Sequence, residues 1–192
     1  LRDHGAARVT AVVPYLAYAR KDRRTKPLDP VATRYVAQLL EAVGVDRVDT
    51  LDVHNPSAFE NAFRVPVRNI EAGPGLADAL LERDRPAAVT VVSPDAGGYK
   101  RAERFREILA ERTGTRPGLA FMGKKRSAGT VSGDTLVGEV DGTTAVLVDD
   151  MISTGGTLAR AASACRQGGA DRVVAVATHG LFTADARATL KA

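Results

Sequence analysis

Val146–Thr157, VLVDDMISTGGT, brings together three residue types that phosphate chemistry uses. Three apolar residues, Val146, Leu147 and Val148, end on two adjacent carboxylates, Asp149 and Asp150, and a loop of Ser153, Thr154, Gly155, Gly156 and Thr157 then enters a helix-forming stretch. Small residues let a backbone curl until its N–H groups converge on an oxyanion, and the positive end of the following helix dipole strengthens that field. Two carboxylates would repel the same anion, so they serve another part of a ligand, such as sugar hydroxyls or Mg2+. The plain alternative is a strand that runs into a capped helix. The loop is not a Walker A motif, because no Gly-Lys-Ser/Thr follows its glycines.

Three other strand ends turn polar in the same abrupt way: Tyr15 into Ala19–Arg24, Asp52 to Asn55, and Ser93 to Gly98. Ligands of open α/β sheets sit beyond the carboxyl ends of the strands, so these are the candidate site segments. The first leads into the basic run Arg20, Lys21, Arg23, Arg24 and Lys26; the second carries His54, and the third carries Asp95 with Gly97 and Gly98. A lone strand-end histidine and a tight Asp-Gly turn each have ordinary structural explanations. Lys124 and Arg126 follow a predicted strand within Gly123–Gly129, where small residues permit movement and two cations could close over a phosphoryl group.

The elements that must hold these segments read as an alternation of strands and helices. Strands are predicted at Arg8–Tyr15, Arg47–Val53, Ala87–Ser93, Leu119–Met122, Leu136–Val140, Ala145–Asp149 and Arg172–Thr178. A helix opening at Asp29 and Pro30 and closed by Gly44 carries Val31, Tyr35, Val36, Leu39, Leu40 and Val43 as a core-facing stripe. Further helices are predicted near Ser57–Phe63 and over Leu76–Arg83, Tyr99–Arg112 and Thr157–Gln167. The alternation predicts α/β architecture with mostly parallel sheets. Gly73, Pro74 and Gly75 divide it into two lobes, residues 1–72 and 73–192.

With 192 residues, 44% apolar and 26% charged, the chain has a globular composition, and it has no stretch approaching the ~20 apolar residues of a membrane span. Twenty-seven Lys plus Arg against 23 Asp plus Glu leave a formal charge of +4. The cations are scattered apart from the one run and have no aromatic interleaving, which suits small polyanionic ligands rather than nucleic acid. One cysteine, Cys165, cannot form an internal disulfide, and a reducing cytoplasm is the expected location. Leu1–His4 followed by Gly5 reads as the last turn of a helix, from which the chain is expected to begin inside a larger protein.

The Val146–Thr157 string resembles the phosphoribosyl pyrophosphate motif shared by type I phosphoribosyltransferases and ribose-phosphate pyrophosphokinases. VVPYLAYARKDRR (Val12–Arg24), LDVH (Leu51–His54), SPDAGGYKR (Ser93–Arg101), GKKR (Gly123–Arg126) and THG (Thr178–Gly180) resemble the pyrophosphokinases, in the same order and over nearly the whole chain. The resemblance implies two doubly wound, mostly parallel lobes of the type I phosphoribosyltransferase-like fold. The implied reaction is transfer of the β,γ-diphosphoryl group of Mg2+-ATP to the 1-hydroxyl of ribose 5-phosphate, yielding phosphoribosyl pyrophosphate and AMP.

Carried over residue by residue, the resemblance places Arg20, Lys21 and His54 at ATP, and His54 and Asp95 at Mg2+. Asp149, Asp150, Ser153, Thr154, Gly155, Gly156, Thr157 and Arg126 fall at ribose 5-phosphate, with Lys124 and Arg126 in a mobile catalytic loop. It also implies a cytoplasmic homo-oligomer, dimeric or hexameric, with sites near subunit interfaces and no nucleic-acid or membrane partner. The chain departs from the family pattern at Lys21, where Gln is common, at Ser153, where Asp is usual, and in His54–Pro66. Against that pattern, part of the family's N-terminal region is expected to be missing from this sequence and the C-terminal end to be short. Two other readings use the same loop: a type I phosphoribosyltransferase, and a catalytically silent regulatory paralogue.

Overall fold

The structure, a computed structural model, describes residues 1–127, 130–183 and 185–191, and only the backbone of 124–127 and 130–134. The chain divides into two compact units, Leu1–Ala72 and Gly73–Ala192.

In the first unit, a 3-10 turn at Arg2–His4 is closed by Gly5 at φ 83, a left-handed conformation that glycine adopts without a Cβ clash. Strands β1 (Thr10–Val13), β2 (Arg47–Leu51) and β3 (Val67–Ile70) alternate with helices α1 (Ala32–Ala42) and α2 (Pro56–Ala62), and the strands lie parallel in the order β1-β2-β3. The core gathers Leu16, Ala37, Val48, Phe59 and Phe63, with Ala11, Val13, Val36, Leu40 and Val67 around them. Phe59 and Phe63 meet edge to face, their centroids 5.2 Å apart, four positions apart where α2 ends.

Helix α1 corrects two expectations. It starts at Ala32, because Asp29 spends its carboxylate on the preceding turn, accepting from Thr25 Oγ1 and Lys26 N. Its apolar stripe is also wider than the surface it covers. Thr33 and Ala37, small enough for close approach, are the residues it buries fully, with Val36 and Leu40 packed beside the core; Tyr35, Leu39 and Val43 are exposed. Strand β3 was not anticipated, since Pro66 and Asn69 dilute its apolar signal.

The second unit runs α3 (Gly73–Arg83), β4 (Val89–Ser93), α4 (Tyr99–Thr113), β5 (Gly118–Ser127), β6 (Thr130–Val137), β7 (Thr144–Ile152), α5 (Gly156–Gln167), β8 (Arg172–Gly180) and α6 (Ala186–Lys191). Its sheet has the order β6-β5-β4-β7-β8, parallel except for the β5–β6 hairpin. From β4 the chain crosses by α4 to β5 on one side, whereas from β7 it crosses by α5 to β8 on the other. Right-handed crossovers in opposite directions place α4 and α5 on opposite faces, and β4 and β7 flank the reversal.

Side-chain alternation bears this out. Val91, Val146 and Val148 pack with Phe105, Ile108 and Leu109 of α4 and with Ala77 and Leu80 of α3. Val92, Ala145 and Leu147, one residue out of step, pack with Leu158, Ala161 and Cys165 of α5. Strands covered on both faces favour apolar residues at successive positions, which is why Ala145–Val148 of β7 reads as a continuous apolar run. Burial raises the Cys165 thiol to about 11, so this cysteine is a packing residue.

Candidate active site

The strand extensions build the site. Strand β4 last pairs with β7 at Val92–Leu147 and with β5 at Ser93–Phe121, but β7 continues to Ile152 and β5 to Ser127. Both therefore overrun the carboxyl end of β4. Asp149 and Asp150, read as the end of a strand, lie within it, because β8 accompanies β7 as far as Ile152–Gly180.

Beyond Ile152 the chain turns through Ser153 and Thr154 into Gly155, at φ 79 and ψ −7, the N-cap of α5. Gly155 has no side chain to cap the helix, and the N–H groups that open α5 face outward along its dipole. Gly156 N–H is directed at Thr154 Oγ1 at 3.5 Å. The turn is braced from behind: Leu181 and Phe182 donate their N–H groups to Ile152 O at 2.9 and 3.2 Å, and Thr183 N–H to Ser153 O at 3.1 Å. A Cβ at Gly155 would stand 2.8 Å from Leu190 Cγ, so α6 packs directly on the turn.

Across the reversal, the β4–α4 loop supplies Asp95. Its Oδ1 accepts Gly98 N–H at 2.8 Å, and Ser93 Oγ donates to its carbonyl at 2.6 Å. Only glycine fits at position 98, since a Cβ there would come within 2.7 Å of Ser93 Oγ. From the first turn of α4, Arg101 reaches the β7 carboxylates, its Nη1 lying 3.5 Å from Asp149 Oδ1 and 3.6 Å from Asp150 Oδ1. That same hypothetical Cβ would lie 3.7 Å from both Arg101 Nη1 and Asp95 Oδ1, so the switch point gathers Asp95, Arg101, Asp149 and Asp150. The sequence alone does not mark Arg101, whose charge is one of 27 and whose partners are 48 and 49 positions away.

Of the remaining candidates, Arg20 and Lys21 lie exposed in the turns after β1, and His54 is exposed just after β2, all in the first unit. Lys124 and Arg126, expected in a loop, have their backbone in β5. The register pairs Lys124 with Asp134 and Arg126 with Val131, shifting between them, so the expected loop is a bulged β-arm. Their side chains, and Ala128 and Gly129, lie outside the described residues. Among the described residues no group of three or more His, Cys, Asp and Glu side chains is placed to enclose a metal.

Comparisons with known proteins fit this geometry. Residues 1–44 match the model for the N-terminal domain of ribose phosphate pyrophosphokinase, and residues 124–192 that for the phosphoribosyl synthetase-associated domain. A ribose-phosphate pyrophosphokinase of Marinomonas sp. (strain MWYL1) is 42% identical over 193 residues, covering 100% of this chain and 59% of its own length; that of Vibrio cholerae gives the same figures. The crystal structure of phosphoribosylpyrophosphate synthetase from Mycobacterium smegmatis superposes with a TM-score of 0.86 at 36% identity, over 98% of this chain and 59% of that one. Over its whole length the chain is similar to ribose-phosphate pyrophosphokinases. It spans about three-fifths of the length of these relatives.

The electrostatics of the site centre on Asp149. Burial first, and then the neighbouring Asp150 carboxyl, raise its pKa to about 7 against the opposing pull of the Asp150 N–H at 2.8 Å and the Arg101 charge. The folded state therefore holds a proton that the unfolded chain, with its ordinary carboxyl near 3.8, releases. Stability from this group is complete below about pH 4 and is lost as pH rises through about 7. Asp149→Asn is expected to flatten that decline and to stabilise the protein at pH 8 by up to about 4 kcal/mol, read from denaturant midpoints across pH 4–9. An unchanged pH slope would show that Asp149 titrates normally.

Proposed function

We propose that the intact protein is a ribose-phosphate diphosphokinase, transferring the β,γ-diphosphoryl group of ATP to the 1-hydroxyl of ribose 5-phosphate and releasing AMP. The observation that carries this reading is the switch point itself, where an uncapped helix start and a left-handed glycine turn adjoin a carboxylate pair held by Arg101. One ligand with a phosphate at one end and vicinal hydroxyls at the other would satisfy both parts.

On this reading the N–H groups of Thr154–Thr157 and the Ser153, Thr154 and Thr157 hydroxyls take the 5-phosphate, with Arg126 assisting. Asp149 and Asp150 accept from the ring hydroxyls and so orient the 1-hydroxyl for attack on the β-phosphorus. Arg20, Lys21 and His54 hold the ATP phosphates. Lys124 and Arg126 stabilise charge on the transferring group, the role that dominates diphosphoryl transfer.

Mg2+ prefers oxygen ligands, keeps several waters and needs only one or two protein groups. An exposed Asp95, whose Oδ1 is oriented by Gly98 N–H, suits it. Bound there, Mg2+ would neutralise phosphate charge. The same reading makes the protein a cytoplasmic homo-oligomer, a dimer or hexamer with sites near subunit interfaces. Among the described residues, no helix is long and apolar enough to cross a membrane.

Phosphorus NMR of the intact protein with Mg2+, ATP and ribose 5-phosphate tests the proposal. Joint appearance of AMP and phosphoribosyl pyrophosphate is expected. Nucleotide binding without AMP would replace this reading with the regulatory one. Pyrophosphate release from phosphoribosyl pyrophosphate and a free base would replace it with the transferase.

A further inference from the structure

Five cations occupy seven positions from Arg20 to Lys26, and like charges so close need acids to organise them. Asp29 gathers the far end: its Oδ2 accepts from Thr25 Oγ1 at 2.7 Å and from Lys26 N at 3.0 Å, and its carbonyl accepts from Arg24 Nε at 3.1 Å. At the near end, next to Arg20 and Lys21, the acid is Asp22. Asn55 Nδ2 donates to Asp22 Oδ2 at 2.6 Å, across 33 positions of chain.

The other end of that amide sets its orientation. Asn55 is the N-cap of α2 and its Oδ1 accepts Ala58 N–H at 3.2 Å, which leaves the NH2 to meet the carboxylate. The basic turn is also pinned on its opposite side. Thr33, 2% exposed, donates its hydroxyl to Tyr18 O at 2.8 Å and its N–H to Lys21 O at 3.3 Å. Arg20 and Lys21 thus sit between two anchors, and the second grips the residue next to His54.

We propose that the Asp22–Asn55 hydrogen bond is a clasp that holds the Arg20–Lys21 turn against the His54 segment, so that all three residues meet the phosphates of one nucleotide. A carboxylate acceptor makes this a strong hydrogen bond, and fixing the cations before binding lowers the entropy cost of ordering them on the ligand. The inference rests on the nucleotide reading above, and Asp22 and Asn55 act as positioning residues.

The test separates clasp from cap. Asn55→Ser keeps a capping hydroxyl but is too short to reach Asp22; the reciprocal exchange of Asp22→Asn with Asn55→Asp rebuilds the hydrogen bond and still caps α2. With calorimetric titration of the intact protein, Asn55→Ser is expected to weaken ATP binding about tenfold, leave ribose 5-phosphate affinity unchanged and speed amide exchange over Tyr18–Lys26. The exchanged pair should bring ATP affinity back to within about twofold. Unchanged ATP affinity in Asn55→Ser, an equal loss for ribose 5-phosphate, or no recovery in the exchanged pair would each overturn the clasp. If the unsubstituted protein binds no ATP, the nucleotide reading falls and the clasp with it, a result distinct from failure in the variants alone.

Discussion

Gly155→Val should abolish phosphate binding at the loop and destabilise the second unit. At φ 79 the residue occupies the left-handed region, where a β-branched side chain is strained by about 1–2 kcal/mol. The first added carbon also falls 2.8 Å from Leu190 Cγ and 3.0 Å from Leu190 Cδ2, displacing α6 from the turn. Together these are expected to cost about 2–4 kcal/mol of stability and at least about 100-fold in ribose 5-phosphate affinity, since N–H groups that no longer converge lose the ligand together. Gly142 is the control. It too has a positive φ, 63, but its Cβ would meet nothing within 4 Å, so Gly142→Ala should cost only about 1 kcal/mol and leave binding intact. Calorimetric binding and thermal melting measure both effects. Normal affinity in Gly155→Val would remove the loop from the site.

Lys124→Ala should lower turnover of the intact protein by about 10²–10³-fold while leaving ribose 5-phosphate affinity unchanged. Strand β5 carries Lys124 three residues and Arg126 five residues past Phe121, where pairing with β4 ends, onto the arm that overruns the sheet. A cation on such an arm can act on charge that develops during transfer without contributing to ground-state binding, which is why turnover and affinity should separate. Single-turnover AMP formation, compared with equilibrium titration of ribose 5-phosphate, measures the split. Equal turnover in the variant would sink the catalytic assignment, and a parallel fall in affinity would recast Lys124 as a binding residue.

Much of the site was legible because its signals are local. A strand of Val146, Leu147 and Val148 followed by two carboxylates and a Ser-Thr-Gly-Gly loop specifies a strand, a turn and a helix start within a dozen residues. Gly5 closing the first turn was readable for the same reason. The α/β class followed from alternating periodicities, each set by hydrogen bonding within one element or by the two faces of one strand.

The pairings across the chain were not legible, because they depend on which strands become neighbours. Arg101 meets Asp149 and Asp150 only because β4 and β7 are adjacent and α4 starts where β4 ends. Asp22 meets Asn55 only because β1 and β2 pair in parallel, bringing their carboxyl ends together. Composition could not show that half the α1 stripe stays exposed, since apolar spacing defines a face without saying what covers it. Nor could it show that β5 and β7 overrun β4, because strand length is decided by whether a partner continues alongside. The sequence by itself determined the Ser-Thr-Gly-Gly turn, the carboxylate pair and the alternating architecture, through backbone preferences acting over a few residues. The tertiary structure decided which charges face those groups, because strand order alone brings residues tens of positions apart within hydrogen-bonding reach.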